Sequence, residues 1–172
     1  LLREENPDYL AVVLDCKEPT FRHELYTEYK ATREKMPDEL VEQLEPLFEV
    51  ITHANIPILK KPGYEADDIM GTLVKKAEQA EFATYLVTGD KDMMQLVSET
   101  TFVYTPGNRF KPTTIYDEAK VKEKWGVGPN GIIEMLALVG DTSDNVPGID
   151  GVGLKTAQKL LDEYKNIETI LE

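Results

Sequence analysis

Apolar positions along the chain alternate between two periods. Tyr9-Leu10-Ala11-Val12-Val13-Leu14 is a continuous apolar run ending at Asp15, the pattern of a buried strand. From Thr20 to about Thr32 the spacing is helical, but the residues are basic and aromatic: Phe21, Arg22, Leu25, Tyr26, Tyr29 and Lys30, with Arg33 just beyond. Met36-Pro37-Asp38 opens a second helix with Leu40, Leu44, Leu47, Phe48 and Ile51 on one stripe, and Pro46 inside it predicts a kink. Ile56-Pro57-Ile58-Leu59 reads as a second strand. Pro62-Gly63 then breaks the chain before a helix marked by Ile69, Leu73 and Ala77.

A third strand is predicted over Phe82 to Thr88, a short helix over Met93 to Val97, and a strand over Thr101 to Thr105. Pro106-Gly107-Asn108 is a turn, Thr114-Ile115-Tyr116 a small strand, and Asp117 the cap of a helix reaching Trp125. Pro129 opens a helix through Leu138. A glycine-rich loop from Gly140 to Gly153, a helix from Lys155 to Tyr164 and a last helical turn from Ile167 to Leu171 complete the chain. Strands alternating with helices imply an α/β fold, a parallel sheet covered on both faces, with an all-helical segment after about Asp117. Sites in such sheets lie beyond the carboxyl ends of the strands.

Acidic residues collect at those ends. Asp15 follows the first strand, and Asp90 and Asp92 follow the third. Glu65, Asp67 and Asp68 open a helix, while Asp141 and Asp144 follow the Pro129 helix. Glu65 and Asp68, three apart, share one helical face, and Asp67 points elsewhere. Acids at a helix start are also what the macrodipole alone favours. Taken together, eight carboxylates without His or Cys suit oxygen-preferring divalent cations such as Mg²⁺ or Mn²⁺ and argue against zinc. Two such ions can clamp a phosphodiester. Other catalytic patterns are weak: His23 and His53 stand beside no nucleophile. An aspartyl-phosphate chemistry at Thr88-Gly89-Asp90-Lys91-Asp92 would leave the remaining acids unexplained.

Composition tempers this picture without overturning it. The 172 residues carry a net charge of −13, which at face value disfavours a polyanionic partner. Setting the eight site acids aside leaves 24 of the 32 acids against 19 bases, a balance of −5. Nucleic acid would therefore need localised basic surface plus metal. The basic and aromatic stretch from Phe21 to Arg33 supplies the residue types that single-stranded nucleic acid binding uses, although a solvated basic face has the same composition. Gly148-Ile149-Asp150-Gly151-Val152-Gly153-Leu154-Lys155-Thr156 precedes a helix, where successive backbone N–H groups can cradle a phosphate. A tight connector is the plainer alternative. A lone cysteine, Cys16, excludes an internal disulfide and fits a reducing compartment. No run approaches the length of a membrane span and no signal-peptide pattern is present.

In this order these motifs resemble the 5′ nuclease (flap endonuclease-like) domain of bacterial DNA polymerase I. The matching text is Asp15, Thr20-Phe21-Arg22, Tyr29-Lys30 with Arg33, Glu65-Ala66-Asp67-Asp68 and Thr88-Gly89-Asp90-Lys91-Asp92. It continues through Gly140-Asp141-Thr142-Ser143-Asp144-Asn145 and Pro147 to Ala157, so it covers nearly the whole chain. The resemblance implies a PIN-like nuclease core over residues 1–116 with a helical arch at about 20–36. A helical segment over 117–172 would contain a helix–two-turn–helix at about 129–164. It implies a 5′-3′ exonuclease or flap endonuclease of DNA replication and repair, cytoplasmic in a bacterium and nucleoid-associated, with two sites for Mg²⁺ or Mn²⁺. Asp15, Glu65, Asp67 and Asp68 would serve one ion; Asp90, Asp92, Asp141 and Asp144 the other. By the same likeness Lys30 and Arg33 approach the scissile phosphate, with Arg22 and Tyr29 on the same element. Gly148, Gly151, Gly153, Lys155 and Thr156 would hold duplex DNA, with K⁺ at the loop.

The implied partners are DNA with a 5′ end or flap and a polymerase domain in the same native chain. The family opens with a strand carrying another metal-binding aspartate, and this chain begins after it. The expectation is therefore a piece of a longer protein with a weakened first metal site. A DNA-binding fragment impaired in catalysis and a PIN-type ribonuclease are the alternatives.

Overall fold

The structure is a computed structural model and describes residues 5–172; residues 1–4 lie outside the described part. The α/β class holds, and the expected parallel pairings form. Strand β1 (Val12–Val13) pairs in parallel with β2 (Ile58–Leu59), and β3 (Thr84–Val87) with β4 (Thr101–Thr105). The two pairs are not joined into one sheet among the described residues, and β5 (Thr114–Tyr116) adds to β4 antiparallel. Nor are both sheet faces covered: Tyr85 and Val87 are exposed, and Tyr85 stacks on Phe102 of the neighbouring strand. The run from Tyr9 to Leu14, expected to be a buried strand, keeps only two ladder residues, both half-buried. Among the described residues it has a sheet partner on one edge only.

The first helix departs most from its sequence pattern. Helix α1 (Phe21–Leu25) stops after five residues, where the predicted helix continued to about Thr32. Tyr26 turns extended, and Lys30 adopts φ +57° while its N–H donates to the carbonyl of Asp144 at 2.8 Å. Contacts more than a hundred residues away override the local helical preference. Helix α2 (Asp38–His53) runs through Pro46 and has no buried residue. Helix α3 (Ala66–Gln79) starts where Pro62-Gly63 requires: Gly63 takes φ +82°, Glu65 is the extended N-cap, and its N–H donates to Asp68 Oδ2 at 2.9 Å. Such caps contribute about 1 kcal/mol.

Helix α4 (Glu118–Trp125) is capped by Asp117, whose Oδ1 accepts from Lys120 N–H at 2.8 Å. A 3₁₀ turn at Pro129–Gly131 leads into α5 (Ile132–Val139). The loop expected from Gly140 to Gly153 contains a two-residue ladder, β6 (Gly140–Asp141) against β7 (Val146–Pro147). Its crossing is tight: a Cβ on Gly148 would lie 2.2 Å from the carbonyl of Val139, so only glycine fits. Helices α6 (Leu154–Tyr164) and α7 (Ile167–Leu171) follow, the latter capped by Asn166.

One core serves both halves. Val74, Leu86, Met94 and Val103 from the α/β part pack with Val121, Trp125, Ile132, Met135, Leu138 and Leu161 from the helical part. Trp125 Nε1 donates to Met94 Sδ at 3.3 Å across the junction, and Gln158 ties α6 to the Trp125 carbonyl at 2.7 Å. Each such buried side chain contributes about 1.5–3 kcal/mol by removal from water. No described helix is long and apolar enough to cross a membrane. Ile132→Ala should cost about 2–5 kcal/mol in urea unfolding. Trp125 fluorescence and far-ultraviolet circular dichroism should then report one coincident transition; separate transitions would contradict a shared core.

Candidate active site

The eight acids expected at the strand ends form one linked neighbourhood. Asp15, after β1, accepts the Ala66 N–H at 2.7 Å and so meets the start of α3. Asp90 turns out of β3 with its N–H on Thr88 Oγ1 (3.0 Å), and its Oδ1 accepts the Asp92 N–H (2.9 Å). Asp92 opens a 3₁₀ turn over Asp92–Leu96, in place of the expected helix from Met93 to Val97. Asp141 sits on β6, where its Oδ1 accepts the N–H of Ser143 at 2.7 Å, and Asp144 follows on the same hairpin.

Three of the acids are neutralised from residues 22–33. Arg22 donates two parallel bonds of 2.8 Å to Asp68, occupying both oxygens of a carboxylate that also caps α3. Lys30 Nζ donates to Glu65 Oε1 at 2.7 Å and stands 3.9 Å from Asp144. Arg33 pairs with Asp144 and reaches the Ser143 carbonyl. Tyr29, buried, places one hydroxyl 2.9 Å from Glu65 and 2.8 Å from Asp144, bridging the groups expected to serve separate ions. Its single proton serves two carboxylates, and the Lys30 charge offsets their repulsion. Burial, then the bonds to Asp144 and Glu65, raise the Tyr29 pKa far above its ordinary value, so the hydroxyl remains a donor. Arg22 holds Asp68 below the usual carboxylate range, against the opposing effect of burial.

Among the described residues Asp67 and Asp92 pair with no basic side chain. Burial, followed by the charges of Asp90, Asp15 and Glu65, pushes Asp67 up to about 6. Burial, a proton shared with Asp141 and the charge of Asp90 push Asp92 up to about 7, and Asp92 Oδ1 is buried with no donor. Burial works against Asp141 as well, but the shared proton and the Ser143 N–H hold it below its ordinary value. An oxygen-only donor set with a partnerless buried oxygen and repelled carboxylates fits a hard divalent cation. Among the described residues no three of these acids converge around one point, and three of them are engaged by the cations of residues 22–33.

The glycine loop leaves from this same hairpin. Gly148 lies against Gly140, next to Asp141, and Gly151 takes φ +78°. Gly153 caps α6, and Lys155 and Thr156 stand exposed in its first turn. Two further contributors had weak sequence signals. Asn145, at φ +58°, donates its Nδ2 to the Glu28 carbonyl at 2.7 Å and ties the acidic hairpin to the segment before Tyr29. Lys91, between Asp90 and Asp92, stands 3.7 Å from Asp141.

Fold and site define an α/β protein with a carboxylate cluster at its strand ends, strapped by a cationic segment and continued by a helical region. Residues 1–126 match the model of the 5′-3′ exonuclease N-terminal resolvase-like domain, and residues 127–172 that of the 5′-3′ exonuclease C-terminal SAM fold. The chain belongs to the 5′-3′ exonuclease family. It is 44% identical to a 5′-3′ exonuclease of Aquifex aeolicus over 100% of its length and 58% of the relative's. To DNA polymerase I of Bacillus subtilis it is 42% identical over 100% of its length and 20% of the relative's. A bacteriophage T5 flap endonuclease solved with DNA and metal ions shares the fold, with a TM-score of 0.82 and 23% identity over 99% of this chain and 65% of that one. The chain thus spans 58% of one relative's length and a far smaller share of the polymerase's.

The raised pKa values have a definite sign. An unfolded aspartate titrates near 3.9, so between about pH 4 and pH 7 the folded chain holds extra protons at Asp67 and Asp92. Their contribution to stability therefore falls as pH rises through that window. Divalent cations compete with these protons. Mg²⁺ should therefore raise the Tm more at about pH 7.5 than at about pH 5; an equal rise at both would contradict the assignment.

Proposed function

We propose that the chain carries the active site of a metal-dependent 5′-3′ exonuclease and flap endonuclease that hydrolyses DNA phosphodiesters. The observation that carries this reading is the Tyr29 hydroxyl bridging Glu65 and Asp144. It draws two acidic groups from distant parts of the chain into one cluster, with three cations on the same segment. Family membership supplies the reaction class. Asp15, Glu65 and Asp67 would hold one divalent cation, Mg²⁺ or Mn²⁺, and Asp90, Asp92, Asp141 and Asp144 a second. Bound there, such ions neutralise phosphate charge and make a water more acidic.

The chain's own residues do the positioning. Lys30 and Arg33, which here neutralise Glu65 and Asp144, are the cations best placed to meet the scissile phosphate. Asp68 and Arg22 anchor their segment through the bidentate pair. Tyr29 keeps its proton and orients both carboxylates. The exposed loop from Gly148 to Thr156, with the first turn of α6, is suited to a duplex backbone and to a K⁺ ion. In this reading residues 1–116 form the nuclease core and 117–172 the duplex grip, in a bacterial cytoplasmic protein that acts beside a polymerase domain.

Asp90 separates catalysis from binding because it is exposed and its loss leaves the ion pairs of residues 22–33 intact. On a 5′-flap duplex, Asp90→Ala should abolish Mg²⁺-dependent cleavage while binding in Ca²⁺ stays within about threefold. Full cleavage by that variant would remove Asp90 from the reaction, and a wild-type chain that binds no DNA would refute the functional reading.

A further inference from the structure

The connection between β4 and β5 takes no part in the acid cluster, yet it is built in unusual detail. The register pairs Thr105 with Thr114, and the ribbon continues beyond the sheet. Asn108 N–H donates to the Lys111 carbonyl at 2.8 Å and Lys111 N–H returns to Asn108 at 3.3 Å, leaving Arg109-Phe110 as a two-residue tip. Asn108 Oδ1 also accepts the N–H groups of Phe110 (2.8 Å) and Lys111 (3.0 Å), and Thr113 Oγ1 accepts that of Gly107 (3.1 Å). A Cβ on Gly107 would lie 2.5 Å from Thr113 N, so the two strands of the ribbon are closely apposed. This hairpin is preset by its own hydrogen bonds.

Its tip displays what a folded chain ordinarily hides. Phe110 is 88% exposed, the most exposed of the large hydrophobic side chains among the described residues. Arg109 and Lys111 flank it, both exposed, and among the described residues neither pairs with a carboxylate. In a chain of net charge −13, a bare ring flanked by two exposed cations is a local basic and aromatic feature. Nothing in the fold needs the ring, since it packs in no part of the core.

The location gives the tip a partner. Strands β3 and β4 are parallel, so the hairpin leaves the sheet at the edge where Asp90 leaves it. Thr105 Oγ1 donates to the Thr88 carbonyl at 3.2 Å, and Thr88 Oγ1 accepts the Asp90 N–H at 3.0 Å. The hairpin root is thereby hydrogen-bonded to the turn that presents Asp90. Three residues at ~3.3 Å each carry the tip about 10 Å beyond the sheet.

We propose that Arg109-Phe110-Lys111 is a stacking contact for an unpaired base of the DNA strand held at the acid cluster. Phe110 supplies the ring face, and Arg109 and Lys111 meet the adjoining phosphates. The proposal rests on the nuclease reading above. An anionic membrane would also suit a ring between two cations, but the hairpin root is bonded to the Asp90 turn, where the nuclease reading already places DNA.

The test uses the 172-residue chain in Ca²⁺ with two oligonucleotides, a duplex carrying a single-stranded 5′ flap and a blunt duplex of equal length. Phe110→Ala should weaken flap binding by about 5- to 100-fold, leave blunt-duplex binding within about twofold, and leave the Tm unchanged. Phe110→Trp should keep wild-type affinity, and 2-aminopurine in the flap should be quenched by wild type but not by Phe110→Ala. Phe110→Ala binding the flap like wild type, or losing both oligonucleotides equally, overturns the contact while the nuclease reading stands. So does a Phe110-dependent affinity for phosphatidylserine vesicles with DNA binding unchanged. Wild type binding neither oligonucleotide overturns both.

Discussion

Like charge held at close range is the constraint on which the rest of this molecule depends. Eight carboxylates from four separate parts of the chain lie in one linked neighbourhood, and their repulsion must be met by cations or by protons. The protein uses both. Arg22, Lys30 and Arg33 take Asp68, Glu65 and Asp144, and Tyr29 lends one proton to two of them. Asp67 and Asp92, which pair with no basic side chain among the described residues, hold protons above the ordinary aspartate range. Breaking a largely buried pair such as Lys30–Glu65 leaves a charge that costs several times what an exposed pair contributes, ~3–5 kcal/mol against less than 1.

Everything beneath the cluster serves to hold those charges in place. The shared core fixes α3, the turn after β3 and the β6–β7 hairpin relative to one another, so residues over a hundred apart in sequence keep hydrogen-bond distance. The Asp68 carboxylate illustrates the economy of the arrangement. It caps α3 by accepting the Glu65 N–H at Oδ2 and clamps Arg22 with both oxygens, so one side chain sets both a helix start and the strap above it. The same sheet edge launches the Arg109-Phe110-Lys111 hairpin, whose root is hydrogen-bonded to the turn that presents Asp90.

Much of this was legible in sequence because it is locally encoded. Asp117 and Asn166 cap the helices they precede, Thr101–Thr105 and Thr114–Tyr116 form the strands their patterns predict, and the acids gather where strand ends gather. The misreadings share one cause. The helix predicted to Thr32 ends at Leu25 because Tyr29, Lys30 and Arg33 are drawn to partners 35 to 115 residues away, and no local pattern encodes that. The apolar run from Tyr9 looked like a buried strand because its sequence cannot reveal that, among the described residues, a sheet partner is present on one edge only. Asn145 is an ordinary turn residue by sequence, and its tether to Glu28 exists only in three dimensions.

On the proposed metal-binding reading, the uncompensated acids are retained at a cost to stability for the sake of binding cations. Asp92 tests it most directly, since its Oδ1 is buried without a donor and its pKa is pushed up to about 7. The measurement is the metal-free Tm of Asp92→Asn beside wild type at about pH 7.5 and about pH 5. The variant should be the more stable at pH 7.5, the difference should close at pH 5 where wild-type Asp92 is protonated, and Mg²⁺ should stabilise the variant less. A variant less stable than wild type at pH 7.5 without metal would show that Asp92 belongs to the structure and not to the cation site.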